Sequence, residues 1–158
     1  MKSRYDTYCG LYCGACPVLL ANENDEVEKK AREWGMKPEE LRCWGCKSGY
    51  TGVYCADCEL KQCAEAKNIE FCFRCDHYPC ERLVVFQNDT HPHHSIVLEN
   101  LGRICQNSLS DWLVEQEKRW SCPGCSTRFS WYDKTCKNCG NKLYDCETEE
   151  KDLLECGK

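Results

Sequence analysis

Cys55-Ala56-Asp57-Cys58-Glu59-Leu60-Lys61-Gln62-Cys63 and Cys72-Phe73-Arg74-Cys75-Asp76-His77-Tyr78-Pro79-Cys80 share the spacing C-x2-C-x4-C. All three cysteines are offset by 17, and an acid (Glu59, Asp76) directly follows the second. The pattern predicts a repeated unit in which a cysteine knuckle feeds a short helix whose first turn returns a third thiolate. A helix N-terminus there favours thiolate over thiol through its unpaired amides and dipole. Outward from the repeat, C-x2-C recurs at Cys43/Cys46, Cys122/Cys125 and Cys136/Cys139, and Cys9, Cys13, Cys16 and Pro17 form C-x3-C-x2-C-P. Two thiolates three positions apart, with a turn between them, converge on one ion. Bridged to each other they would close a strained small ring, so the spacing is a metal signature.

The composition calls for such cross-links. Cysteine accounts for 18 of the 158 residues, and Leu, Ile, Val and Phe for 27, about 17%. That is below the roughly 20% expected of a chain that folds on burial alone. Burial contributes only ~25 cal/mol per Å², against about 1–2 kcal/mol of backbone entropy per ordered residue. A conventional large-core enzyme is therefore disfavoured. Disulfides would require export, and Met1-Lys2-Ser3-Arg4-Tyr5-Asp6-Thr7-Tyr8 lacks the apolar stretch of a signal peptide. No run approaches the ~18 apolar residues of a membrane span. The expected setting is a reducing cytoplasm, away from membranes.

Cysteine density divides the chain. Residues 1–82 hold eleven cysteines and read as a multi-metal domain, whereas 83–118 hold one and read as a helical segment packing between modules. Residues 119–146 read as a zinc ribbon and 147–158 as a frayed acidic tail. Within the middle segment Leu83, Val84 and Phe86, then Ile96, Val97, Leu98, Leu101 and Ile104, recur at helical spacing. The break between them is Asn88-Asp89-Thr90-His91-Pro92. Ser110 reads as the N-cap of the helix that follows. Further helices are expected over 18–34, 57–68 and 79–87. The net charge is −6 over 1–117, +4 over 118–146 and −3 over 147–158.

In the C-terminal module Cys122, Cys125, Cys136 and Cys139 form C-x2-C-x10-C-x2-C, two knuckles at hairpin tips joined by a β-rich strand pair. Gly124 and Gly140 sit where knuckles need backbone freedom. The arrangement resembles the zinc-ribbon and rubredoxin-like families. Zn2+ suits four thiolates because it accepts all-sulfur ligation without redox change, and iron competes for the same ligands. Phe129, Trp131 and Tyr132 read as the ribbon's apolar cover in preference to a stacking platform for nucleic acid. Four thiolates on one Zn2+ reduce the local charge to about +2, thin for phosphate binding.

In the first 82 residues the metal ligands are expected to be Cys9, Cys13, Cys16, Cys43, Cys46, Cys55, Cys58, Cys63, Cys72, Cys75 and Cys80. These suit either two four-thiolate sites with three cysteines left over, or three sites completed by a histidine or a non-protein ligand. Cys9, Cys13 and Cys16 have the cadence of radical S-adenosylmethionine enzymes. Those require a βα barrel of about 200 residues or more, for which there is no repeat pattern here. The order of motifs instead resembles the cysteine-rich domain of unknown function 3795. The matching pieces are Cys9 to Pro17, Cys43-Trp44-Gly45-Cys46, Cys58 to Cys63-Ala64, and Cys72 to Cys75 with Tyr78-Pro79-Cys80, together covering about residues 8–85. Trp112-Leu113-x-x-Gln116 and Ser130-Trp131-Tyr132 look similar to the later part of some members. The resemblance implies metal binding and no particular activity.

The expected fold is thus a small metal-stabilised α+β protein: a knuckle-and-short-helix domain, a helical linker and a C-terminal β zinc ribbon. His91, His93 and His94 read as a polar loop rather than a ligand group, and His77 as solvent-exposed. Cys105 is expected to be a buried small hydrophobe. Trp34, Trp44, Trp112 and Trp120 are expected to pack around the metal sites. No nucleophile, catalytic triad or carboxylate pair stands out. Three functions are compatible: a structural-zinc adaptor that binds another protein, an iron–sulfur protein for electron transfer or redox sensing (a [4Fe–4S] cluster in the N-terminal domain or iron in the ribbon), and a nucleic-acid-binding ribbon. The first is preferred, with nucleic acid disfavoured as a partner.

Overall fold

The computed structural model describes residues 2–156; Met1 of the expected first domain, and Gly157 and Lys158 of the expected tail, lie outside that range. Within it the helices run α1 (Pro17–Glu23), α2 (Val27–Trp34), α3 (Pro38–Leu41), α4 (Val53–Ala56), α5 (Glu59–Ala66), α6 (Glu81–Gln87), α7 (Val97–Gln106), α8 (Leu109–Arg119) and α9 (Cys146–Cys156). Short 3-10 turns occupy Cys13–Ala15, Cys72–Arg74 and Pro92–His94.

The α+β class and the β ribbon expected from the sequence are overturned. No strand or sheet forms among the described residues, and the knuckle segment shows only the isolated bridges Ser121–Arg128 and Thr135–Lys142. The reason lies in where its backbone hydrogen bonds go. Phe129 N–H donates to Trp120 O at 3.1 Å, Trp131 N–H to Ala15 O at 3.2 Å, and Cys146 N–H to Trp131 O at 2.9 Å. Trp131, between the knuckles, is bonded across the molecule to Ala15, and each local turn closes only one bridge.

The helix expected over 18–34 is two helices. Asp25 adopts a left-handed φ of 56° between α1 and α2, a conformation that a helix interior excludes. The N-cap of α8 is Ser108, whose Oγ accepts from Asp111 N–H at 3.1 Å, two residues before the serine expected. The acidic tail is not frayed but forms α9, where Asp145 Oδ1 accepts from Thr148 N–H at 2.9 Å. Helices α5, α6 and α7 fall where periodicity placed them, with Val97, Leu101 and Ile104 buried on one face of α7.

The main apolar cluster joins the first knuckle, α7, α8 and the C-terminal module. At its centre Trp112 meets Tyr12 edge-on, with ring centroids 5.9 Å apart, and donates from Nε1 to Asn100 Oδ1 at 3.3 Å. Asn100 Nδ2 in turn donates to Gly10 O at 2.9 Å. Gly10 has φ +90°, and a Cβ there would come within 2.7 Å of Val97 O, so the knuckle seats on α7 only because the position is glycine. A second cluster of Val18, Leu19, Val27, Ala31, Leu41 and Cys43 closes α1, α2 and α3. The apolar core is thus larger than a metal-only scaffold implies. Trp112 and Trp120 belong to it, whereas Trp34 is 39% exposed and packs on Tyr54.

One buried ion pair pins the N-terminal segment. Lys47 Nζ lies 2.9 Å from Asp6 Oδ2, with both side chains nearly inaccessible, and 3.6 Å from the centroid of Phe71. Burial alone would raise the Asp6 pKa, but the hydrogen bonds from Lys47 and Arg4 hold it below the usual carboxylate range.

Candidate metal centres

None of the 18 cysteines is disulfide-bonded. Cys122, Cys125, Cys136 and Cys139 bring their four sulfurs within 4.8 Å of one another. Cys122 Sγ lies 3.5 Å from Cys139 Sγ, and Cys125 Sγ lies 3.5 Å from Cys136 Sγ. Four sulfurs at about 2.3 Å from one tetrahedral ion stand roughly 3.8 Å apart, so the group already has the span that a single ion imposes. Cys122 and Cys136 are buried, whereas Cys139 is exposed.

Local sequence builds this geometry. Ser126 N–H donates to Cys122 O at 2.8 Å, and Gly140 N–H donates to Cys136 O at 2.9 Å, so each knuckle closes on itself. Gly140 takes φ +76°, the freedom expected of it. The Thr127 hydroxyl, the Asn138 side chain and the Thr127 amide favour the Cys125 thiolate and hold its pKa down at about 5. At Cys139 the Asn141 amide pulls the pKa down, but the neighbouring sulfurs of Cys122, Cys125 and Cys136 push it up to about 12. Four thiols this close repel one another as anions, which an ion in their midst relieves.

The module is anchored by Arg128, which the sequence did not single out. Its guanidinium donates to Gly14 O at 3.1 Å, Tyr5 Oη at 3.1 Å and Glu23 Oε2 at 2.6 Å. Phe129 and Trp131 are buried, which agrees with the apolar-cover reading; Tyr132 is 38% exposed.

The eleven N-terminal cysteines are gathered less tightly. Burial raises the Cys13 pKa, with Cys16, Cys46 and Cys55 adding to it, and pushes Cys55 up to about 12, with Cys16, Cys43, Cys58 and Cys9 adding to it. These thiols therefore share one neighbourhood. The Gly45 amide turns in to Cys43 Sγ at 3.4 Å, as a knuckle requires. Cys63, Cys72, Cys75 and Cys80 line a second place together, a cavity between α5 and α6. Burial, then Cys9, Cys80, Cys63 and Cys75, push Cys72 up to about 12. The repeat in sequence is not a repeat in structure. Cys58 is the N-cap of α5, but the equivalent Cys75 ends a 3-10 turn, and the next helix starts at Glu81, after Pro79. Cys105 is exposed rather than buried, Cys146 is fully buried and Cys156 is exposed.

Asp89, His91 and His94 also bring ligand atoms within 4.8 Å of one another. Asp89 Oδ2 meets His94 Nδ1 at 2.8 Å, and Oδ1 takes His91 Nδ1 at 3.2 Å and the His91 amide at 2.8 Å. The histidines expected to form a polar loop thus include a group with the span of a metal site, and His94 within it is buried. His93 stacks on Trp131, with centroids 4.1 Å apart, and hydrogen-bonds Tyr132 Oη at 2.7 Å. Burial, then the neighbouring His94 and His91, push the His93 pKa down to about 3. The folded state therefore favours neutral His93, a contribution complete above the unfolded value near 6.5 and lost as pH falls from there toward 3. His93→Phe is expected to lessen the drop in urea midpoint between pH 7 and pH 5; an unchanged drop would contradict this assignment.

The fold and its sulfur groups define a helical protein with unbridged cysteines, four of which lie close enough together to hold a metal ion. The model of the family described as Protein of unknown function (DUF3795) matches residues 5–85, and the chain belongs to that family. The match spans all eleven N-terminal cysteines and stops short of the 122–139 group. No curated protein and no solved structure matches the chain. No helix among the described residues is long and apolar enough to cross a membrane.

Proposed function

We propose that the chain is a thiolate metal-binding protein whose Cys122/Cys125/Cys136/Cys139 group holds a structural zinc ion. On this reading its N-terminal cysteines hold further metal, and the protein works as a binding or adaptor module for another protein. The observation that carries the proposal is the mutual approach of those four sulfurs. Zinc suits them because it takes four thiolates without geometric or redox demands, and a site closed by four protein ligands is structural rather than catalytic.

The adaptor role is preferred over nucleic-acid binding because Phe129 and Trp131 are turned into the core. In addition, three lysines beside the knuckles are already paired: Lys29 with Glu26 at 3.3 Å, Lys30 with Glu33 at 2.9 Å and Lys137 with Asp133 at 3.8 Å. An iron–sulfur centre in the N-terminal part is a second reading, favoured by the wider placement of its cysteines. Elemental analysis of protein purified without added metal tests the main proposal. At least one zinc per chain is expected, and less than one rejects it.

A further inference from the structure

We infer that Cys63, Cys72, Cys75 and Cys80 are the ligands of one polynuclear iron–sulfur centre, separate from the four-cysteine group at 122–139. The inference deepens the reading that the N-terminal cysteines bind metal, and it rests on that reading. The four come from different pieces of backbone: Cys63 from within α5, Cys72 and Cys75 from the ends of a 3-10 turn, and Cys80 from the N-cap of α6. They nevertheless line one cavity, whose walls include Leu60 and Leu83. Such convergence of four thiols on an apolar recess is the donor set of an all-cysteine cluster.

The spread of the sulfurs separates this place from the C-terminal one. The only cysteines among the described residues that gather three or more ligand atoms within 4.8 Å of one another are Cys122, Cys125, Cys136 and Cys139. Cys63, Cys72, Cys75 and Cys80 share one cavity without meeting that mutual approach. One ion holds its thiolates close together, whereas a core of several irons and sulfides spaces them widely. Basic groups offset the charge of four thiolates: Lys67 Nζ lies 3.1 Å from Cys75 Sγ, and Arg82 is on the cavity wall. Hydrogen bonds to ligand sulfurs are among the factors that set a cluster's potential.

The test is anaerobic purification of the whole chain, followed by zinc, iron and acid-labile sulfide analysis, absorbance and electron paramagnetic resonance after reduction. A [4Fe–4S] centre gives about four irons and four sulfides per chain beside the zinc. Cys72→Ser and Cys80→Ser are expected to lose iron, sulfide and colour together and to keep the zinc; Cys105→Ser, at an exposed cysteine, is expected to lose nothing. Lys67→Gln leaves every ligand in place and should lower the cluster's reduction potential, a readout that survives if the serine variants fail to fold. Two or more zincs per chain with no sulfide would overturn the cluster and leave the metal-binding reading standing. Metal confined to the 122–139 group would overturn both.

Discussion

Cys136→Ser is expected to abolish zinc binding at the proposed C-terminal site and, with it, the folded state of residues 120–146. Cys136 is 4% exposed, and the chain immediately after Cys139 carries Leu143 into the main core. Structural zinc contributes about 10–16 kcal/mol of apparent binding free energy that doubles as folding energy. Whole domains are stable by only about 5–15 kcal/mol, so the deficit is too large for local adjustment to absorb. The measurements are zinc content, near-ultraviolet circular dichroism of the buried Trp120 and Trp131, and thermal unfolding. Chelation of the wild type should reproduce the variant. A zinc-free protein that unfolds cooperatively at the wild-type temperature would show that the ion is not structural.

Trp112→Ala carries the second large effect, and its mechanism is independent of metal. The side chain is 1% exposed and bridges Tyr12 to Asn100. Truncating a buried tryptophan costs about 3–5 kcal/mol through lost burial and the cavity left behind, and here it also removes the donor to Asn100 Oδ1. At about 2–4 °C per kcal/mol for a chain of this size, the melting temperature should fall by on the order of 10 °C. Val114→Ala on the same helix, at a side chain 67% exposed, should change stability by no more than about 0.5 kcal/mol. Zinc content should be unchanged in both. Equal effects of the two substitutions would remove Trp112 from the centre of the core.

The approach of the four C-terminal sulfurs was legible in their spacing, because C-x2-C is a local constraint and convergence follows from a single turn. The group at 122–139 and the family of residues 5–85 were readable for that reason. Local spacing does not report where a backbone amide finds its partner. The expected ribbon failed there, since Trp131 N–H bonds to Ala15, more than a hundred residues away, rather than to a neighbouring strand. The same limit hid the Gly10–Asn100–Trp112 relay and the reach of Arg128 to Gly14, which depend on pairs distant in sequence. The repeat of 55–63 and 72–80 misled for a different reason. Identical cysteine offsets were read as identical backbone, although Pro79 delays the second helix to Glu81. Cys105 was misplaced because the apolar stripe of α7 passes through Ile104 and leaves the next residue facing water.

The reach of Arg128 makes the two halves of the molecule thermodynamically answerable to each other. It stands three residues after Cys125, yet it grips the carbonyl of Gly14 between Cys13 and Cys16, the phenol of Tyr5 and the carboxylate of Glu23. A displacement of the distal knuckles is therefore felt at the first cysteine motif, and one of that motif at the knuckles.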